Sequence, residues 1–203
     1  LRMRLAVTVL VALVLSSGAG AALAAGRPLA ILMPGGTGAV KEGDFLVRNR
    51  ARFEQAGFEI AYASTPGQAL AAAKRGREKG QKVFVLGISL GVSRATAAFA
   101  AGAPADAAVF FSGAYSLAMV EIGSPGKLPP TLMVHHRGDR CATTTPASAE
   151  AFRQWAGGRI ARIVWISSSG NELNWACGPR GAHGFFEKDS EAVSAAIAFL
   201  KSR

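Results

Sequence analysis

Lys82-Val83-Phe84-Val85-Leu86-Gly87-Ile88-Ser89-Leu90-Gly91 passes from a short apolar run through a turn into the Ala-rich stretch that ends at Ala101. Residues 82–87 are almost continuously apolar and rich in β-branched and aromatic types, the pattern of a strand buried on both faces. Leu90 to Ala101 carries its apolar residues at helical spacing. Between the two, Gly87 and Gly91 stand two positions either side of Ser89. A turn this sharp holds the central residue in a strained conformation, and only small neighbours escape a clash with it. It also lifts the serine hydroxyl to the start of a helix, where free N–H groups and the helix dipole favour a developing negative charge. Gly-x-Ser-x-Gly between strand and helix is therefore read as the seat of a nucleophilic serine. The bland alternative is an ordinary glycine turn.

The alternation repeats on both sides of this stretch. Strands are expected at Leu29–Met33, Glu59–Ala63, Lys82–Gly87, Ala107–Ser112, Thr131–His135 and Arg162–Ser167, each buried on both faces. Helices are expected at Asp44–Ala56, Gln68–Lys79, Leu90–Ala101, Ala147–Ala156 and Lys188–Lys201, with Asp44 and Thr65 near plausible starts. No composition break interrupts the alternation from Pro28 to Leu200. The expected fold is one α/β domain, a mostly parallel sheet of about six strands with helices on both faces. Tyr115–Pro130 breaks the rhythm, and its glycines and prolines predict a loop holding no more than a short turn. A large lid has no room there.

In open sheets of this kind ligands bind beyond the carboxyl ends of the strands. The fifth expected strand runs into His135-His136-Arg137-Gly138-Asp139, and the sixth is followed, after a loop, by Ala182-His183-Gly184-Phe185. Together with the turn at Ser89, these segments resemble the α/β-hydrolase superfamily across essentially all of residues 26–203. The first is similar to the His-Gly-x-x-Asp pattern of dienelactone-hydrolase-like members, although His136 stands where Gly is usual. The second is similar to the histidine loop of the same group. The resemblance implies Ser89 as nucleophile, Asp139 as acid and His183 as base, in the superfamily's chain order. It also implies two oxyanion donors. One is the N–H of Leu90; the other belongs to Gly35 or Gly36 in Met33-Pro34-Gly35-Gly36-Thr37-Gly38, where Pro34 has no N–H to give. A nucleotide loop is the rival for that turn, and it lacks the following Lys-Ser or Lys-Thr. Asp139 has a rival role as a helix cap, with Glu172 then the acid. His135 and His136 read as packing or pocket-wall residues, and Trp175 as pocket lining or plain packing.

Residues 1–25 begin with the basic Leu1-Arg2-Met3-Arg4, continue as the apolar run Leu5–Leu15 and end in small residues. That is the layout of a signal peptide, cleaved near Ala24 or Ala25. An uncleaved anchor is the alternative, but the strongly apolar part is shorter than the roughly 18 to 20 residues of a span. A periplasmic or secreted protein would carry Cys141 and Cys177, its only cysteines, into an oxidising compartment where a bridge between them is expected. The bridge would join the segments that carry Asp139 and His183.

Charge excludes less. Lys and Arg number 23 against 13 Asp and Glu, or 21 against 13 once Arg2 and Arg4 are set aside. The cations are scattered, and the run Lys74–Lys79 reads as the wet side of a helix; without interleaved aromatics no nucleic-acid partner is expected. Neither cysteine has metal-ligand spacing, and the expected chemistry requires no metal or organic cofactor. The expectation is an exported serine hydrolase that acts on a small-molecule acyl substrate, ester ahead of amide or thioester, with no stable membrane anchor after cleavage. Dienelactone hydrolases use Cys as nucleophile, so Ser89 points to a general esterase. The rivals are a non-catalytic binding domain that keeps the fold, and a peptidase or acyltransferase built on the same three residues.

Overall fold

The computed structural model describes residues 26–167 and 175–203. Six strands, β1 (Leu29–Met33), β2 (Glu59–Tyr62), β3 (Val83–Ile88), β4 (Ala107–Phe111), β5 (Thr131–His136) and β6 (Ile160–Ile166), form one sheet in the order β2-β1-β3-β4-β5-β6. Every neighbouring pair is parallel. The helices are α1 (Phe45–Arg48), α2 (Arg50–Gln55), α3 (Pro66–Glu78), α4 (Leu90–Ala100), α5 (Tyr115–Ile122), α6 (Pro146–Ala156) and α7 (Asp189–Lys201).

Successive strand side chains point to opposite faces, so continuously apolar strands feed two cores at once. Leu29, Ile31, Met33, Val83, Val85 and Phe110 join the apolar sides of α3, α4, α5 and α6. Ala30, Leu32, Phe84, Leu86 and Phe111 point the other way, towards Phe45, Phe53 and the α7 residues Ala192, Ala196 and Phe199. The expectation of burial on both faces holds for the central strands and fails at the edges. All four residues of β2 are only half-buried, and β6 exposes Ala161 and Arg162, because an edge strand has one neighbour and partial helix cover.

Local chemistry sets the helix ends. Asp44 and Thr65 accept the N–H of Leu46 and of Gln68 as N-caps of α1 and α3. The single helix expected over Asp44–Ala56 is broken at Asn49, whose side-chain amide bonds to the Phe45 carbonyl and to Asp189. In 74–79 all residues but Gly76 are exposed, and Gly76 lies against Leu29 and Val83. The larger correction concerns Tyr115–Pro130. Tyr115, Ala118 and Ile122 recur at helical spacing and pack on α4 as α5, which Gly123 ends at φ 68°; a 3-10 turn follows at Pro125–Lys127.

Candidate active site

The turn after β3 is as tight as the two glycines implied. A Cβ on Gly91 would lie 2.0 Å from the Met33 carbonyl oxygen, and one on Gly87 would lie 2.9 Å from the Gly91 backbone. Ser89 sits at φ 54°, ψ −123°. Such a conformation costs on the order of 1–3 kcal/mol and persists only where the surroundings enforce it. Here its N–H donates to the Phe111 carbonyl, and its own carbonyl accepts from Val92 and Ala114, each at 3.1 Å. Leu90 opens α4, so its N–H has no acceptor within the helix.

Asp139 and His183 meet in a buried cluster. Asp139 Oδ2 lies 3.1 Å from His183 Nδ1, and Asp139 Oδ1 accepts the Cys141 N–H at 3.0 Å. Thr144, fully buried, donates from Oγ1 to Asp139 Oδ2 at 2.9 Å and lies 3.0 Å from His183 Nδ1. Nothing in the sequence pointed to Thr144, which is 39 positions from His183 and has neighbours of its own kind on both sides.

Three devices hold the histidine segment. Cys141 and Cys177 are bridged, which fastens the loop after β5 to the segment leading to His183. Arg48 reaches from α1 to the carbonyls of Pro179 and Gly184 through Nη1 and Nη2, at 3.2 and 2.5 Å, while its Nε pairs with Asp189 at 2.8 Å. Phe185 then seats its ring 5.0 Å from Phe45 and 6.0 Å from Phe111.

Ser89 and His183 line one cavity of about 530 Å³ at the carboxyl ends of the strands, together with Gly35, Gly36 and Leu90. Its walls include Phe45, Ile88, Trp175 and both bridged cysteines, so the space is largely apolar. Trp175 lines this cavity while 67% exposed, a wall residue at the mouth. Gly35 lies close beside Ser89, since a Cβ there would be 3.3 Å from the Ser89 Cβ, but its N–H already donates to Asp44 Oδ2 at 2.8 Å. Arg94 takes the carbonyls of Pro34 and Gly36 at 2.5 and 2.9 Å and so pins this turn to α4.

The neighbouring histidines stand apart from the cavity lining. His135 is fully buried between the rings of Tyr115 and Trp165, and its Nε2 is 3.7 Å from Asp139 Oδ2, too long for a hydrogen bond. Burial pushes its imidazole down to about 4, with the nearby Asp139 charge opposing the shift. His136 Nδ1 accepts the Gly138 N–H at 2.9 Å and shapes the turn into Asp139. Glu172, the alternative acid, lies outside the described residues.

No protein-family model and no curated sequence matches this chain. Solved structures do. An alpha-beta serine hydrolase homologue from Coxiella burnetii superposes with a TM-score of 0.64 at 11% identity, over 86% of this chain and 88% of that one. An esterase from Pyrococcus furiosus gives 0.62 at 12% identity, over 87% and 83%. An acetyl ester-xyloside bifunctional hydrolase from Caldicellulosiruptor lactoaceticus gives 0.61 at 12% identity, over 88% and 84%. The chain has the α/β-hydrolase fold that its residues implied.

Proposed function

We propose that this protein is an exported serine hydrolase that cleaves carboxylic esters through an acyl-Ser89 intermediate. The observation that carries the reading is the meeting of a strained Ser89 with the bonded pair His183 and Asp139 at one apolar cavity. In the forward step the Ser89 oxygen attacks the ester carbonyl while its proton passes to His183 Nε2. The tetrahedral oxyanion is held by the N–H of Leu90 and that of Gly36, because Gly35 has given its N–H to Asp44. Collapse expels the alcohol, which takes the proton from His183. Water repeats the cycle from the acyl-enzyme and restores Ser89.

The comparisons support hydrolase chemistry at the level of fold, since several proteins with this fold are esterases. Export is supported by the disulfide and by the layout of residues 1–25. A cavity of about 530 Å³ with apolar walls suits an acyl or alcohol group of modest size.

The test is turnover of a panel of short acyl esters, peptides and acceptor alcohols by purified protein and by Ser89→Ala. Loss of a triad nucleophile costs several powers of ten in kcat, on the order of 10⁴ to 10⁶. Ester turnover by the native protein, lost in a folded Ser89→Ala variant, is the expected result. Near-native turnover by that variant removes the reading.

A further inference from the structure

We infer that Thr144 is a fourth, positioning member of the site, one that locks the tautomer and orientation of His183; the inference rests on the hydrolase reading above. The argument is a count of protons. Asp139 Oδ2 and His183 Nδ1 are 3.1 Å apart, and a carboxylate only accepts. A bare Nδ1 would set two acceptors against each other at that distance, so Nδ1 carries the proton and Nε2 is bare. Thr144 has a single hydroxyl proton. It lies 2.9 Å from Asp139 Oδ2 and 3.0 Å from His183 Nδ1. With Nδ1 protonated, the only arrangement in which every contact is favourable has Thr144 donating to Asp139 and accepting a share of the Nδ1–H.

The hydroxyl therefore closes a triangle in which each member fixes the other two. It donates to the carboxylate, orienting Oδ2, and offers a second acceptor to the imidazole. In the opposite tautomer a bare Nδ1 would face the carboxylate, and the hydroxyl could give its one proton to Nδ1 only by withdrawing it from Asp139. Burial keeps water from substituting, because Thr144 is 0% exposed and His183 only 5%. The backbone holds Thr144 for this role. Its N–H donates to the Cys141 carbonyl at 3.0 Å, in a turn anchored through Cys141 to the bridge, and the next residue, Thr145, caps α6. Asp139 Oδ1, meanwhile, is occupied by the Cys141 N–H. The carboxylate thus meets the base and the hydroxyl through the same oxygen.

Thr144→Val keeps the side-chain shape and removes the hydroxyl; Thr144→Ser keeps the hydroxyl and removes the methyl. Two quantities are measured, steady-state kinetics on a short acyl ester and the low-field proton resonance of the imidazole Nδ1–H, assigned by its loss in His183→Gln. Thr144→Val is expected to lower kcat about 10- to 100-fold with KM little changed, and to displace the resonance. Thr144→Ser is expected to restore most of both. If Val unfolds the protein, Thr144→Ala supplies the same loss. Native kcat in the hydroxyl-free variant overturns the inference, as does a Ser variant as impaired as the Val one, which would make the methyl the important part. A fully active Ser89→Ala would instead remove the hydrolase reading, and the resonance would still decide whether Thr144 holds His183.

Discussion

His135 bears on the candidate acid without touching the cavity. It is buried 3.7 Å behind the Asp139 oxygen that His183 uses, and a charged imidazole there would draw on the same carboxylate. Burial prevents this by holding it neutral down to about pH 4, below the ordinary histidine value of 6.5. In the unfolded chain the same side chain takes its proton near 6.5, so between these values the unfolded state binds more protons. Stability therefore falls as pH drops from about 6.5 to about 4, by about 3 kcal/mol for this one group, and the contribution is level outside that window. Urea midpoints measured across this range should show the decline, and His135→Leu, of similar volume, should flatten it. Equal pH slopes for the two proteins would mean that His135 titrates normally in the fold.

At the scale of elements, His183, the proposed base, stands on a 3-10 turn, Ala182–Gly184, and not on a strand or a long helix. Short turns have few hydrogen bonds of their own, so the bridge, Arg48 and Phe185 supply the restraint. The cysteines are 36 positions apart, and closing a loop of that size removes about 3 to 4 kcal/mol of unfolded-state freedom. The bridge also sits where it matters locally, since the Cys141 N–H is one of the bonds on Asp139. Reduction should lower activity at temperatures where the far-ultraviolet circular dichroism of the sheet and helices is unchanged. Activity that falls only along with the dichroism would make the bridge a stabiliser of the fold alone. A Cys141→Ser, Cys177→Ser protein should behave as the reduced one does.

Over the whole molecule, the sequence was legible wherever one interaction dominates. The central strands follow the demand that both faces be apolar, and the turn at Ser89 follows from a backbone clash that only glycine avoids at position 91. Legibility failed where packing arbitrates between competing signals. In α5 the exposed Leu117 and Val120 blur the helical stripe, and Gly123, Pro125, Pro129 and Pro130 weigh the segment towards a loop. Contact with α4 outweighs both. The same limit applied at the site. Ser89, Asp139 and His183 stand in recognisable local settings, whereas Thr144 and Arg48 acquire their places from residues 39 and 136 positions away. Sequence leaves Gly35 and Gly36 equivalent, and only the fold, which brings Asp44 to the Gly35 N–H, tells them apart.

The central claim is that Ser89 is activated by His183 to form a covalent intermediate, and a fluorophosphonate tests it directly because phosphonylation requires an activated serine. Intact mass followed by peptide mapping should show one adduct per chain, on Ser89, absent in Ser89→Ala and formed far more slowly in His183→Gln. A native, folded protein that takes no adduct, or takes it at another residue, would contradict the claim.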